Sequence, residues 1–436
     1  MSNQQGMNLA SAKFGPKGWA LCVYMFFIFY LNTSMNTGWQ NCLTYWETTY
    51  GWDTTTLLSL VSVAQFVGIA ACFVTGRLAL KVSPRLLAIV WGVVVTASCF
   101  CINLVHNMVL FGIVECVAIM GQVVWAYTLN PIFVSSWFPR KKGVVMGITT
   151  IGVPLGAGTT SKIMNWIGAN WGLNYCLTFV GLIGLVGLLL LIFVVRDTPE
   201  EAGCKPDNDD SLTSEDVRRM AAEAREQDMK SPWTTGRMLR LPQTYIIALT
   251  MGCGALFGGG VMGTAVIGML SRGYETGTAV NMMLLSAACA CVFSYIFGVI
   301  DAKYGARIGE IGVFICAICA SLCLMLGTSM PMQVVGMVLT GAVTGGAANF
   351  CTSLVIEYWG PANFKRAYGV IYPIHQIPGS MGTLFIVQIA ARFGGYTVAY
   401  GAMAAAMVLA MVIFIVCTNK GGVFVKNAEE KWGIAK

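Results

Sequence analysis

Apolar residues run along this chain in long unbroken stretches, not in the alternation of a half-buried strand or the one-sided stripe of a soluble helix. A helix of about 18 or more such residues crosses a hydrocarbon core of roughly 30 Å. Stretches of that length recur at 18–41, 54–78, 86–105, 108–134, 144–166, 172–195, 244–270, 278–299, 307–327, 331–357, 368–391 and 394–418. Twelve crossings predict an all-α membrane protein, because lipid leaves bare backbone polar groups unsatisfied and helices satisfy them internally. Polar interruptions divide the chain into a tail at 1–17, six spans over 18–195, a linker at 196–241, six more spans over 242–418, and a tail at 419–436.

The pattern also repeats. Gly51-Trp52-Asp53-Thr54-Thr55-Thr56 returns as Gly273-Tyr274-Glu275-Thr276-Gly277-Thr278, 222 positions on. Gly76 through Arg85 returns as Gly298 through Arg307, and Trp137, Pro139 and Gly147 return as Trp359, Pro361 and Gly369, all at that offset. Matches on one diagonal predict two pseudo-symmetric six-helix bundles, an arrangement that in a membrane points to a transporter.

Composition agrees: 56% of residues are apolar and 11% charged, against roughly 25% charged in a soluble domain. With both termini placed in the cytoplasm, all but Lys162, Arg272 and Arg392 of the 27 Lys and Arg fall in the tails, the linker and the loops on that side. This asymmetry obeys the positive-inside rule and predicts a multi-pass protein of the cell membrane in contact with lipid. The net charge of +7 therefore reports topology and not nucleic-acid binding. The polar 1–17 segment and the long first apolar run predict an uncleaved first helix in place of a signal peptide. The linker, with eleven acids and eight bases, reads as a solvated connector with a short helix at 217–228. The sixteen cysteines lie almost all in apolar spans, where a thiol packs as a small hydrophobe, and Cys316 and Cys319 are read the same way.

The repeated Gly76–Arg85 and Gly298–Arg307 segments resemble the loop signature of the major facilitator superfamily, Gly-x-Leu-x-Asp-Arg-x-Gly-x-Arg, between spans 2 and 3 and again between 8 and 9. Gly51-Trp52-Asp53-Thr54-Thr55 and Trp137-Phe138-Pro139-Arg140-Lys141-Lys142-Gly143 resemble motifs of the oxalate/formate antiporter and monocarboxylate transporter branch. The resemblance implies the major facilitator fold, a central cavity near the midplane, and alternating access by rocking of the halves. It also implies gating loops here formed by Gly76, Arg77, Arg85, Gly298, Asp301 and Arg307, with an acid that pairs across to a neighbouring helix end. Leu80 and Ala302 stand at the acid positions and Asp301 lies one residue early. Glu357, beside Lys365 and Arg366, is therefore expected as a substitute latch.

Substrate chemistry is read from polar residues at depth. Branch members that carry oxalate are known for a base on span 8 and another on span 11. Here 281–299 carries none, and span 11 offers only His375. A dianion would stand unneutralised in low dielectric at great cost, so a monoanion, a zwitterion or a larger amphipathic solute fits better. Candidate solute contacts are Asn32 and Asn36 on span 1, Gln122, Trp125 and Tyr127 on span 4, and Tyr372, His375 and Gln376 on span 11. Gln122 and Trp125 share a face by their spacing. The histidine has a second reading as a carrier of a coupled proton, and a third as a packing residue beside prolines. Glu115 and Lys162 are the other charges noted at membrane depth, expected to pair with each other, with proton coupling through Glu115 or snorkelling to the interface as the alternatives. The glycines of span 7, among them Gly252, Gly254 and Gly258-Gly259-Gly260, predict close packing or flexure.

Together these features predict a monomeric secondary transporter of a small organic acid that needs no cofactor or metal and is coupled to protons or to an exchanged anion. A carrier of a larger amphipathic solute (an aromatic acid, bile acid or drug) is the alternative. No phosphate-binding Gly-x-x-x-x-Gly-Lys-Ser/Thr supports an ATP-driven pump, and two histidines are too few for a metal enzyme.

Overall fold

The computed structural model describes residues 14–418 except 173–174, 210, 214, 217–218, 220–221, 224–225, 227–230, 232, 328 and 361–362. The carboxyl-terminal tail, nearly all of the amino-terminal one and much of the helix expected at 217–228 lie outside the described residues. Among the described residues twelve long helices, two of them interrupted, make up the two halves. In the first half α1 is Gly15–Tyr50, α2 Thr54–Leu78, α3 Pro84–Cys101, α4 Met108–Trp137, α5 Lys142–Asn170 and α6 Cys176–Phe193. In the second, α7 is Pro242–Leu270, α8 Thr276–Tyr304, α9 Ala306–Leu326, α10 Met330–Trp359, α11 Phe364–Ser380 continued by Gly382–Phe393, and α12 Tyr396–Cys417. Ten of the spans are long and apolar enough to cross a membrane by length and composition alone among the described residues. α2 contributes a shorter apolar stretch, Val63–Leu78, and α11 is broken at Met381, where two interior prolines, Pro373 and Pro378, have already thinned its hydrogen-bond ladder.

Helix starts follow local chemistry. The Asp53 carboxylate accepts from Thr56 N at 2.8 Å, the Ser83 hydroxyl from Leu86 N, and the Asn107 side chain from Val109 N and Leu110 N, which satisfies donors that the first turn leaves open. The repeat is visible in the turns: Gly51 (φ 67°) ends α1, and Gly273 (φ 84°), its counterpart, stands between α7 and α8. Both turns need a left-handed residue that only glycine supplies without strain.

Among the described residues two helices carry π-helical turns, Val124–Leu129 in α4 and Gly258–Met262 in α7. In α4 the cause is legible. Pro131 has no N–H to give the Tyr127 carbonyl four residues back, so the ladder skips a step.

Within the first half α1 packs on α5 and α6, α2 on α4, and α3 on α4 and α6. In the second α7 packs on α11 and α12, α8 on α10, and α9 on α10 and α12. The halves meet chiefly where α2 crosses α11 and α5 crosses α8. These crossings lie toward the end of the molecule that carries the linker, called here the linker face.

The linker is exposed over most of its described residues in 211–226, as a solvated connector is, but it docks at both ends. Near α6 it lies on the first bundle: Trp137 Nε1 donates to Arg196 O at 3.0 Å, Lys17 donates to Ala202 O, and Lys141 Nζ donates to Asp207 O at 2.7 Å. The buried Asp207 carboxylate accepts from Arg140 N and Lys141 N at 3.0–3.3 Å. Near α7 it lies on the second bundle, with Trp233 only 2% exposed, Arg366 donating to Trp233 O at 2.8 Å and Ser231 donating to Asn363. The backbone N–H groups of Arg140 and Lys141 at the end of the first bundle need partners, and Asp207 supplies them, whereas the second bundle holds the linker through the side chains of Asn363 and Arg366.

Candidate functional site

The seam between the halves is built on glycine. Gly76 of α2 meets Gly369 of α11 so closely that a Cβ on Gly76 would stand 2.8 Å from Gly369 Cα. Gly298 of α8 meets α5, where its Cβ would stand 3.3 Å from Gly143 O and 3.6 Å from Gly147 Cα. These contacts are images of each other under the 222-residue repeat, since Gly76 corresponds to Gly298 and Gly369 to Gly147. Around the second crossing Ser294 Oγ donates to Gly147 O at 3.1 Å and shares a 3.0 Å bond with Thr150 Oγ1.

Asp301 lies over the start of α5. Its Oδ2 would be 2.8 Å from a Cβ on Gly143, the second residue of that helix, and Ser353 donates to it from α10. A carboxylate there meets the positive end of the helix dipole and unpaired N–H groups. Its position one residue early in the loop motif turns it toward α5. Glu357, expected as the substitute, is exposed beside Gly305, and with Asp301 it lies near enough to Lys142 at the start of α5 to act on its charge. Arg85 and Arg307 also stay within their own bundles: Arg85 donates to Ile192 O at the end of α6 (2.7 Å), and Arg307 to Ile415 O and Thr418 Oγ1 at the end of α12 (3.4 and 3.3 Å). Arg77 is exposed at a shallow cleft in the α2–α11 seam lined by Phe73, Leu80, Thr235 and Arg366.

Deeper in the seam aromatic rings close the space between the bundles. Tyr368, Tyr372 and His375 stack along α11, with centroids 5.3 and 5.7 Å apart and planes within 19° and 23°. From the first bundle Tyr127 stacks on Tyr372 at 5.8 Å and 19°, flanked by Phe29 at 5.5 Å. Tyr368 Oη donates to the Tyr127 carbonyl at 2.9 Å. Tyr127 is half-buried, while Tyr372 and His375 are buried and His375 Nδ1 has no partner. The α7 glycines serve packing, as expected: a Cβ on Gly252 would stand 2.4 Å from His375 O.

Other expected contacts separate. Asn36 accepts from Gln65 Nε2 at 3.3 Å and donates to Asn32 O at 3.0 Å, tying α1 to α2. Asn32 Nδ2, both amide atoms of Gln122 and both of Asn130 are buried without partners. Trp125 does not share the seam with Tyr127. It is fully buried, donates to Tyr24 Oη at 2.8 Å and packs under Gly92 within its own bundle. The π-helical turn changes the register after Val123, so three-residue spacing no longer reports one face. Gln376 is half-buried. His106, at the opposite face, bonds to Tyr50 Oη at 2.9 Å.

The expected Glu115–Lys162 pair does not form. Glu115 is 1% exposed inside the first bundle with both oxygens unpartnered, whereas Lys162 is exposed on α5. Depth along the two helices is similar, but their rotations point the groups apart. A second acid at depth was not singled out from the sequence: Glu310 of α9 is 1% exposed, with Oε1 unpartnered. Its one-turn distance from the helix start made it resemble a boundary charge, while its burying neighbours, such as Val313 and Phe314, were the signal.

The sequence model of the Major Facilitator Superfamily matches residues 20–383. No curated protein matches the chain by sequence. Among solved structures, the chain is similar to the proton:xylose symporter XylE, with a TM-score of 0.75 at 13% identity over 95% of this chain and 98% of that one. It is similar to the human organic anion transporter MFSD10, with a TM-score of 0.70 at 14% identity over 92% and 100%. It is also similar to FucP in its outward conformation, with a TM-score of 0.68 at 12% identity over 92% and 99%. At these identities the likeness is one of fold.

Proposed function

The chain belongs to the major facilitator superfamily, and we propose that it moves a small, monocarboxylate-like organic acid across the cell membrane by alternating access, through exchange or proton symport. The observation that carries this reading is the seam. Two bundles touch through repeat-related glycine crossings at one face, and a floor of rings with an unpartnered histidine nitrogen lies deeper in. Rocking that parts those crossings exposes the floor to the other side. The linker face is taken as cytoplasmic, with both termini there, on the distribution of Lys and Arg.

Solute contacts are assigned to Tyr127, Tyr372, His375 and Gln376 at the floor, and to Asn36, Asn32 and Gln122 from the first bundle. Trp125 is assigned to packing. A single histidine and amide donors suit one negative charge, because a second would stand unneutralised in low dielectric. Glu115 and His375 are the candidate proton carriers. The second reading, a larger amphipathic or aromatic solute, is favoured by the stacked Tyr127 and Tyr372 rings, which offer flat apolar area.

The test is thermal stability of the purified protein against mono- and dicarboxylates, amino acids, aromatic acids and bile acids. A ligand at about 100 times its dissociation constant adds roughly 2.7 kcal/mol. Stabilisation by small monocarboxylates, followed by saturable flux in vesicles, supports the proposal. Stabilisation by large amphipaths alone replaces it with the second reading.

A further inference from the structure

Tyr368 touches the first bundle through one bond whose acceptor is dictated by sequence. In an unbroken α-helix the Tyr127 carbonyl would accept from residue 131, but Pro131 has no N–H to give. That carbonyl lies in the π-helical turn Val124–Leu129 and loses its ordinary helical donor. Such a loss costs free energy unless another donor reaches the carbonyl. The Tyr368 hydroxyl, from α11 of the opposite bundle, reaches it at 2.9 Å. The same residue, Tyr127, carries the half-buried ring that meets Tyr372. One hydrogen bond thus joins the closed seam to the backbone that aims a floor ring.

We propose that Tyr368 is a positioning residue whose bond to the Tyr127 carbonyl makes the shape of the floor conditional on closure of the linker-face seam, so that the site open to the opposite face binds solute more tightly than the site open to the linker face. This rests on the assignment of Tyr127 to the floor. When the bundles part, donor and acceptor move apart with them, the carbonyl rehydrates, and the Tyr127 ring loses its backbone restraint. A solute held against that ring is then released on the linker-face side.

The variant is Tyr368→Phe, which keeps the stacked ring and removes only the hydroxyl. One arm needs no solute: spin-label distances between Lys81→Cys and Lys303→Cys, exposed on the linker face of the two bundles, compared with and without the substitution. Loss of one ordinary hydrogen bond from the closed state is expected to raise the open:closed ratio roughly 2- to 10-fold. The other arm uses lactate as the probe, offered from either side in oriented vesicles. KM is expected to rise from the face opposite the linker and to stay the same or fall from the linker face, since apparent affinity scales with the population of the competent state. A residue that only supports the fold would lower capacity from both sides without moving the two KM values apart. An unchanged distance distribution overturns the inference, as does a KM shift of equal sign from both faces. If the unsubstituted protein carries no lactate, the monocarboxylate proposal fails and the distance arm alone decides the role of Tyr368.

Discussion

Gly76→Ala should hold the protein open at the linker face. The added methyl would arrive 2.8 Å from Gly369 Cα and 3.5 Å from its carbonyl oxygen, whereas carbon atoms rest at about 3.5–4.0 Å. Both obstacles are backbone, so no rotamer change relieves them and α2 must move away from α11. Overpacking of this kind costs about 1–3 kcal/mol. The cost falls on the closed state alone, because Gly76 and Gly369 stand in different bundles and separate when the seam opens. That difference corresponds to a shift of roughly 5- to 150-fold toward the open state. Gly298→Ala should act more weakly, since its methyl would meet Gly143 O at 3.3 Å and Gly147 Cα at 3.6 Å, distances a few tenths of an ångström of adjustment can accommodate. Spin-label distances between Lys81→Cys and Lys303→Cys read the population directly. The reasoning is refuted if Gly76→Ala leaves the distribution unchanged, or if Gly298→Ala opens the seam further than Gly76→Ala does.

Asp301→Asn removes the charge over the start of α5 and should weaken the closed seam by about 0.5–2 kcal/mol, seen as faster alkylation of a cysteine placed at Thr150; unchanged labelling would count against the contact. Asp207→Ala should free the linker from the 140–141 backbone, with a loss of about 1.5–3 kcal/mol for bonds to a charged group, and proteolysis within 210–230 should quicken. Burial pushes the Asp207 carboxyl above its ordinary value in spite of the Arg140 and Lys141 donors. The folded chain therefore binds that proton more tightly than the unfolded one, and the Asp207 contribution falls as pH rises from the unfolded value, about 3.9, to the raised folded one, then stays level. Asp207→Asn should flatten the melting temperature across that window, and an unaltered pH profile would remove Asp207 from the account. Trp125→Phe should cost about 0.5–1.5 kcal/mol through the lost bond to Tyr24 and lower the melting temperature, with solute affinity unaltered; a fall in affinity without a fall in stability would restore Trp125 to the binding surface.

Spans and repeat were legible because both are written in composition and spacing, which survive without knowledge of helix rotation. The glycines at the crossings were on the repeat diagonal, and they are the residues that touch. What failed depended on rotation. Trp125 and Tyr127 lie two residues apart, and one packs inside a bundle while the other meets the opposite half. Glu115 and Lys162 share a depth and face apart. Tyr368 looked like any helical tyrosine, although Pro131 already announced that the carbonyl four residues before it would need an outside donor. The linker looked solvated by charge count, yet Asp207 docks on the backbone N–H groups of Arg140 and Lys141 and the Trp233 carbonyl accepts from the Arg366 side chain.

The paired glycine crossings carry one more consequence. Residue 76 of one half meets the counterpart of residue 147 in the other, and the counterpart of 76 meets 147. This is the reciprocity of an isologous interface, in which a single patch is complementary to a rotated copy of itself. Either half alone therefore bears both sides of the contact, and a six-helix half expressed by itself is expected to pair with a second copy through the surface it now turns to its fused neighbour. Covalent joining removed the demand that the two crossings be identical, and the difference between equivalent approaches, a Cβ 2.8 Å from Gly369 Cα at one and 3.6 Å from Gly147 Cα at the other, is the freedom that followed.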